Sequence, residues 1–205
     1  MSRFPEDNQH ARRIRRRDAV IAGHAGDEAT ARAAQNDDDP RVRASAIGAL
    51  DRMGALADEE LRVALGDPSP EVRLRAVLLS VGRPKVSPGL LLDDPTDDIA
   101  EAAAWACGER GFEELGTVTR LGELSTGHSN PLVREAAVAA LGAIGHPAGL
   151  EAILGATTDR VAVRRRAVLA LAPFDGPEVE AALQRAAKDR DWQTRDAAEL
   201  LTSTD

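Results

Sequence analysis

The sequence predicts an all-α, right-handed solenoid of six to seven stacked helix pairs, and three observations carry that prediction. A frame of turn residue, Pro, Val-Arg and then Ala recurs from end to end, as in Asn130, Pro131, Val133, Arg134 and Ala137. Its Val-Arg step falls at Val42, Val72, Ile99, Val133, Val163 and Thr194. A period of about 30 residues with helical patterning inside it is the mark of stacked helix pairs. Aromatic residues make up only 2% of the chain, with three Phe, two Trp and no Tyr. Helix stacks closed by Ala, Leu and Val do not need the bulk that aromatics bring to other cores.

In order along the chain, the first copy is degenerate: Arg15-Arg16 stands in the Val-Arg slot, followed by Asp18, Ala19, Val20 and Gly23. In later copies the apolar positions fall four residues apart, as in Val42, Ala46, Leu50 and in Val133, Ala137, Leu141. That is one stripe of a 3.6-residue helix. Pro40, Pro70 and Pro131 suit the first turn, where a missing N–H costs nothing. Asp39, Ser69 and Asn130 precede them as N-caps. Shorter first helices are expected at about 27–35, 58–65, 113–124, 147–156 and 177–188. Pro84, Pro88 and Gly89 leave room for only a turn of helix around 90–92. The whole of 1–205 reads as a single repeat domain, with an irregular repeat at 82–111, an N-terminal cap at about 1–25 and a C-terminal cap at about 189–205.

The Pro-x-Val-Arg-x-x-Ala frame resembles the short bacterial HEAT-like repeats, the type also named after phycobilisome lyases. A second mark of that family is an Asp six residues before the Arg. It appears as Asp37 before Arg43, Asp67 before Arg73 and Asp189 before Arg195, while Asp94 precedes Ala100. His128 and Thr158 take its place before Arg134 and Arg164, with Asp159 one residue late. The resemblance implies a structural ladder of Asp37, Arg43, Asp67, Arg73, Arg134, Arg164, Asp189 and Arg195. In it, a carboxylate in each turn meets a guanidinium that also bridges to backbone carbonyls. Such a scaffold does not by itself determine function.

Several function classes are argued against. The net charge of −8 speaks against wholesale binding to nucleic acid or anionic membrane. Cys107 is the only cysteine, which excludes an intrachain disulfide and a Cys-based zinc site. No run approaches a membrane span and the N-terminus lacks a signal-like apolar stretch, so a cytoplasmic chain is expected. Some HEAT-like proteins hold a di-iron centre with His-Glu pairs, but His10, His24, His128 and His146 are each followed by another residue. No phosphate loop or nucleophile motif is present, and Cys107 reads as a small core hydrophobe. Neither a metal nor a cofactor is expected. The DNA glycosylases that share the architecture would need a basic, aromatic-lined groove.

What remains is one face of the second helices. With the Val as position zero, the buried stripe takes zero, four and eight, and the open face takes two, six and nine. Those slots hold Leu74 and Leu78, then Glu101, Trp105 and Gly108, then Glu135 and Gly142, then Arg165. Trp105 with Glu101 and Glu135 would make an aromatic anchor with an acidic rim, and Leu74 and Leu78 an apolar strip. The competing reading has Trp105 filling the space left by the truncated helix near Leu90. Arg12, Arg13, Arg16 and Arg17 are a dense basic segment, suited either to a polar cap or to an anion contact. Trp192 is expected to close the C-terminal end. The expected function is a non-enzymatic scaffold, monomeric by preference, that binds a basic or amphipathic segment of another protein. The alternatives are a lyase-like factor of the phycobilisome type, acting on a bilin-bearing or other protein, and nucleic-acid binding through the Arg cluster.

Overall fold

The structure, a computed structural model, describes residues 4–203, with side chains described from residue 9. The outermost parts of the expected caps, 1–3 and 204–205, lie outside the described residues. Among the described residues there are twelve α-helices and two 3-10 turns, and no strand. Packing divides the chain into two compact units, Met1–Ser87 and Pro88–Asp205. The division falls inside the segment expected to be irregular, where Pro84, Pro88 and Gly89 interrupt the helical pattern.

The first unit contains α1 (Phe4–Ala25), α2 (Glu28–Ala34), α3 (Pro40–Arg52), α4 (Asp58–Leu65) and α5 (Pro70–Ser80). Helices α1, α3 and α5 lie side by side in one layer, and α2 and α4 pack behind them. The second unit opens on a 3-10 turn (Pro88–Leu91), which stands where a first helix would be. It continues with α6 (Asp97–Glu109), α7 (Leu115–Gly127), α8 (Pro131–Ile144), a 3-10 turn (Pro147–Gly149), α9 (Leu150–Ala156), α10 (Val161–Ala170), α11 (Pro177–Ala186) and α12 (Trp192–Thr202). There α6, α8, α10 and α12 form one layer, and the first 3-10 turn, α7, α9 and α11 the other. The first helices follow the expected spans closely, except that 147–156 begins as the 3-10 turn and α11 ends at Ala186.

Local chemistry sets the starts. Asp39 and Asn130 cap α3 and α8 by accepting from the N–H groups of Arg41 and Leu132. Ser69 occupies the same position before α5, yet its side chain makes no capping bond to the helix. Its hydroxyl donates to Glu71 instead. Ala57 precedes α4 and has no side-chain acceptor to offer, so only half of a capping box forms there: the Glu60 carboxylate accepts from the Ala57 N–H at 2.8 Å. Helix α8 ends at Gly145, whose φ of +69° is a left-handed conformation that a side chain would strain.

Among the described residues the buried apolar side chains are those of Ala, Val, Leu and Ile, with Cys107 and Pro88. Positions zero, four and eight are buried in every copy from α3 to α10, with Ser80 taking the place of a Leu. Ser80 satisfies itself by donating to the Val77 carbonyl at 2.6 Å. The buried band is wider than expected, because positions five and seven also lie inside, as at Val138 and Ala140. Position nine is a further departure from the expected open face. A Cβ on Gly142 would lie 2.6 Å from the Cα of Ala170, and one on Gly108 would lie 2.8 Å from the Cα of Ala140. Glycine there lets neighbouring second helices touch backbone to backbone, so this slot is a packing position.

Candidate binding face

The ladder runs between repeats, and its ion pairs join residues 22–25 apart rather than the Asp and Arg six residues apart. Arg15, Arg43, Arg134 and Arg164 each fork a carboxylate of the next repeat. Arg15 donates to Asp37 at 2.6 and 3.0 Å, Arg43 to Asp67 at 3.0 and 2.8 Å, and Arg164 to Asp189 at 2.9 and 2.8 Å. What the Arg takes from its own repeat is a carbonyl: Arg43 donates to Asp37 O, Arg73 to Asp67 O and Arg195 to Asp189 O, at 2.7–2.9 Å. The Asp therefore joins two repeats, by its carboxylate to the preceding one and by its carbonyl to its own. Its side chain also accepts from the N–H two residues on, as Asp67 does from Ser69.

Two sequence irregularities make sense in this pairing. Asp159 is the partner that Arg134 needs, at 2.6 and 2.9 Å, although it stands one residue late. Ala100 and His128 are the two halves of one missing rung. The guanidinium is absent from one repeat and the carboxylate from the next. His128 keeps the turn by accepting from the Asn130 N–H through Nδ1. Asn130 in turn donates to Asp97 at 2.9 Å, so a hydrogen bond from an amide to a carboxylate joins the two repeats there. The Arg15 fork also shows that Arg15, rather than Arg16, fills the Arg slot of the first copy. Slots two and six of α1 then hold Arg16 and Val20, which line one cleft.

The paired carboxyls titrate low. Arg15 holds Asp37 down to about 2. Arg134 and Arg164 lower Asp159 and Asp189 against the opposing effect of burial. At Asp67 burial acts upward most strongly, and the bonds from Arg43 and the Ser69 N–H outweigh it.

In the second unit, Trp105 is 44% exposed on α6, so it does not fill a void, and Leu90 of the 3-10 turn is itself exposed. Glu101, one helical turn before Trp105, is half-buried, and its carboxyl is pushed up by burial, then by Asp98 and Glu135. Among the described residues Glu101 has no cationic partner. Glu135 on α8 has one, since Arg166 Nη2 approaches it at 3.5 Å. Arg165, expected to be on the open face, turns aside toward Asp191, 3.7 Å away, with its Nε out of solvent and without an acceptor. Arg166, which the slot rule passes over, is the more exposed of the two. Trp192 is 63% exposed at the start of α12 and closes nothing.

In the first unit, Leu74 and Leu78 line a cleft of about 480 Å³ between α1, α3 and α5, together with Arg16 and Val20. Of the other arginines expected to meet an anion, Arg12 approaches Asp39 at 3.7 Å and Arg17 pairs with Asp18, while Arg13 is exposed. Cys107 is fully buried and its thiol is pushed up to about 12 by burial, which leaves it without nucleophilic character at neutral pH. Among the described residues no three His, Cys, Asp or Glu side chains group as metal ligands would. No described helix is long and apolar enough to cross a membrane.

Residues 89–172 match the family model for HEAT repeats. A designed armadillo repeat protein, solved in complex with peptide (KR)4, is similar over 82% of this chain and 95% of its own, at 19% identity and a TM-score of 0.63. At that identity the likeness speaks for the fold alone. Human deoxyhypusine hydroxylase in complex with glycerol is similar over 93% of this chain and 78% of its own, at 21% identity. Its TM-score of 0.48 is too low to bear on activity. No curated protein matches. Residues 89–172 therefore carry HEAT repeats, and the likeness to the armadillo repeat protein supports an α-solenoid fold.

Proposed function

We propose that this protein is a non-enzymatic interaction scaffold that binds a basic segment of a partner protein on the α6–α8 face of its second unit. The observation that carries the proposal is Trp105, exposed to 44% beside the half-buried and unneutralised carboxylate of Glu101. Trp is enriched among residues that anchor interfaces. A Lys or Arg laid over the indole would gain cation–π contact and supply the counter-charge that Glu101 lacks. The second unit also has the charge for such a partner, with 20 Asp and Glu against 11 Lys and Arg in residues 88–205. The designed armadillo repeat protein similar to this chain was solved with a basic peptide, (KR)4.

The test is a titration with a fluorescein-labelled peptide of alternating Lys and Arg, followed by polarisation and by indole fluorescence in a Trp192→Phe background. Saturable, salt-weakened binding is expected, with quenching of Trp105. Trp105→Ala and Glu101→Gln should each weaken it about tenfold, the scale of losing one anchor contact. Equal binding by Trp105→Ala and the parent chain would overturn the assignment.

A further inference from the structure

We infer that the cleft between α1, α3 and α5 in the first unit binds an acidic peptide segment, making a second docking site of opposite preference to the Trp105 face. Four guanidinium groups line it: Arg16 from α1, Arg41 and Arg52 from α3, and Arg75 from α5. Arginines elsewhere in this unit, such as Arg15, Arg43 and Arg83, are paired with carboxylates. The four in the cleft are not: among the described residues none of them forms a salt bridge, and Glu71, close enough to be lowered by Arg41, is the only carboxylate in the lining. Residues 1–87 carry 15 Lys and Arg against 14 Asp and Glu, so the unit is close to neutral and the excess of positive charge is local to this face.

The floor is apolar. Val20 and Leu78 are each 43% exposed, and Ala44 and Leu74 complete the surface. The arrangement also depends on one glycine. A Cβ on Gly48 would lie 2.5 Å from Nη2 of Arg75, so the missing side chain is what seats that guanidinium over α3. Unpaired guanidinium groups around an apolar floor suit carboxylates that alternate with apolar side chains, because each fork can take one carboxylate in bidentate fashion. Neighbouring helix axes stand about 8–10 Å apart, so three helices offer a track of about 20 Å, the length of about six extended residues. The lining contains no aromatic side chain on which a base could stack, which disfavours single-stranded nucleic acid as the occupant.

The test uses the full chain and a fluorescein-labelled peptide alternating Glu and Leu, with a Gln-Leu peptide and oligo-thymidylate as competitors. The acidic peptide should bind, weaken with salt, and be displaced by neither competitor. Arg41→Gln with Arg75→Gln should weaken it about tenfold, the scale of two partly exposed charge pairs. Gly48→Ala, which displaces only the tip of Arg75, should weaken it several-fold, and Leu78→Ser should weaken it without changing the salt slope. Arg13→Gln, on the same helix outside the cleft, and Trp105→Ala should leave it unchanged, which separates this site from the basic-peptide site. Absence of binding at low salt, equal binding by the Arg41/Arg75 variant, or displacement by oligo-thymidylate would each overturn the inference.

Discussion

Replacing Arg134 by Gln is expected to destabilise the second unit by about 2–4 kcal/mol. The side chain forks Asp159 at 2.6 and 2.9 Å, and its Nη1 donates to the carbonyls of His128 at 2.7 Å and Ser129 at 3.2 Å. Arg134 is 12% exposed and Asp159 20%, so water replaces these bonds only in part. A hydrogen bond to a charged group contributes about 1.5–3 kcal/mol, and an ion pair broken on one side costs about 3–5 kcal/mol when fully buried. The residual exposure of this pair brings the loss below the upper figure. Urea unfolding followed by circular dichroism would measure it for Arg134→Gln, Asp159→Asn and the double variant. The two residues should couple by about 1–3 kcal/mol. Because the pairing lowers the Asp159 pKa, its contribution is complete above the ordinary carboxylate range and disappears as pH falls through the depressed value. Additive single effects, or a coupling that persists in strong acid, would refute the rung.

Three further expectations rest on the same coordinates. Acid should weaken the whole stack, because Asp37, Asp67, Asp159 and Asp189 are all held low: a pH titration should show stability steady above pH ~5 and falling progressively toward pH ~2. Gly142→Ala should cost on the order of 2 kcal/mol or more, since its Cβ would meet the backbone of Ala170. Gly116→Ala, with open space around it, should stay within about 1 kcal/mol of the parent on thermal melting. Cys107 should resist a thiol reagent at pH ~8 until denaturant is added, and prompt reaction in the native state would contradict its burial.

How far the site could be read from the chain differs from slot to slot. The two-and-six rule located Leu74, Leu78 and Trp105 on exposed helix faces, because it needs only helical periodicity. It failed at position nine, where Gly142 and Gly108 serve close packing, because no periodic rule knows how near the next helix comes. It also slipped by one residue in α1. There Arg15 and Arg16 are equivalent as letters, and only the fork onto Asp37 tells them apart. Four scattered arginines, Arg16, Arg41, Arg52 and Arg75, carry no motif at all. Their common feature is that none forms a salt bridge among the described residues, which is a property of the packed face.

The sequence by itself determined the scarcity of aromatics, the all-helical repeat, the places where helices begin and the interruption at Pro84–Gly89. The last three follow from turn chemistry and side-chain periodicity, which act over a few residues. The tertiary structure decided which charges cancel. A guanidinium and the carboxylate it neutralises stand 22–25 residues apart along the ladder, in different repeats, so their pairing depends on how the helices stack. The same stacking leaves Glu101 and the four cleft arginines uncompensated, and that residue of unmatched charge marks the two faces assigned to partners.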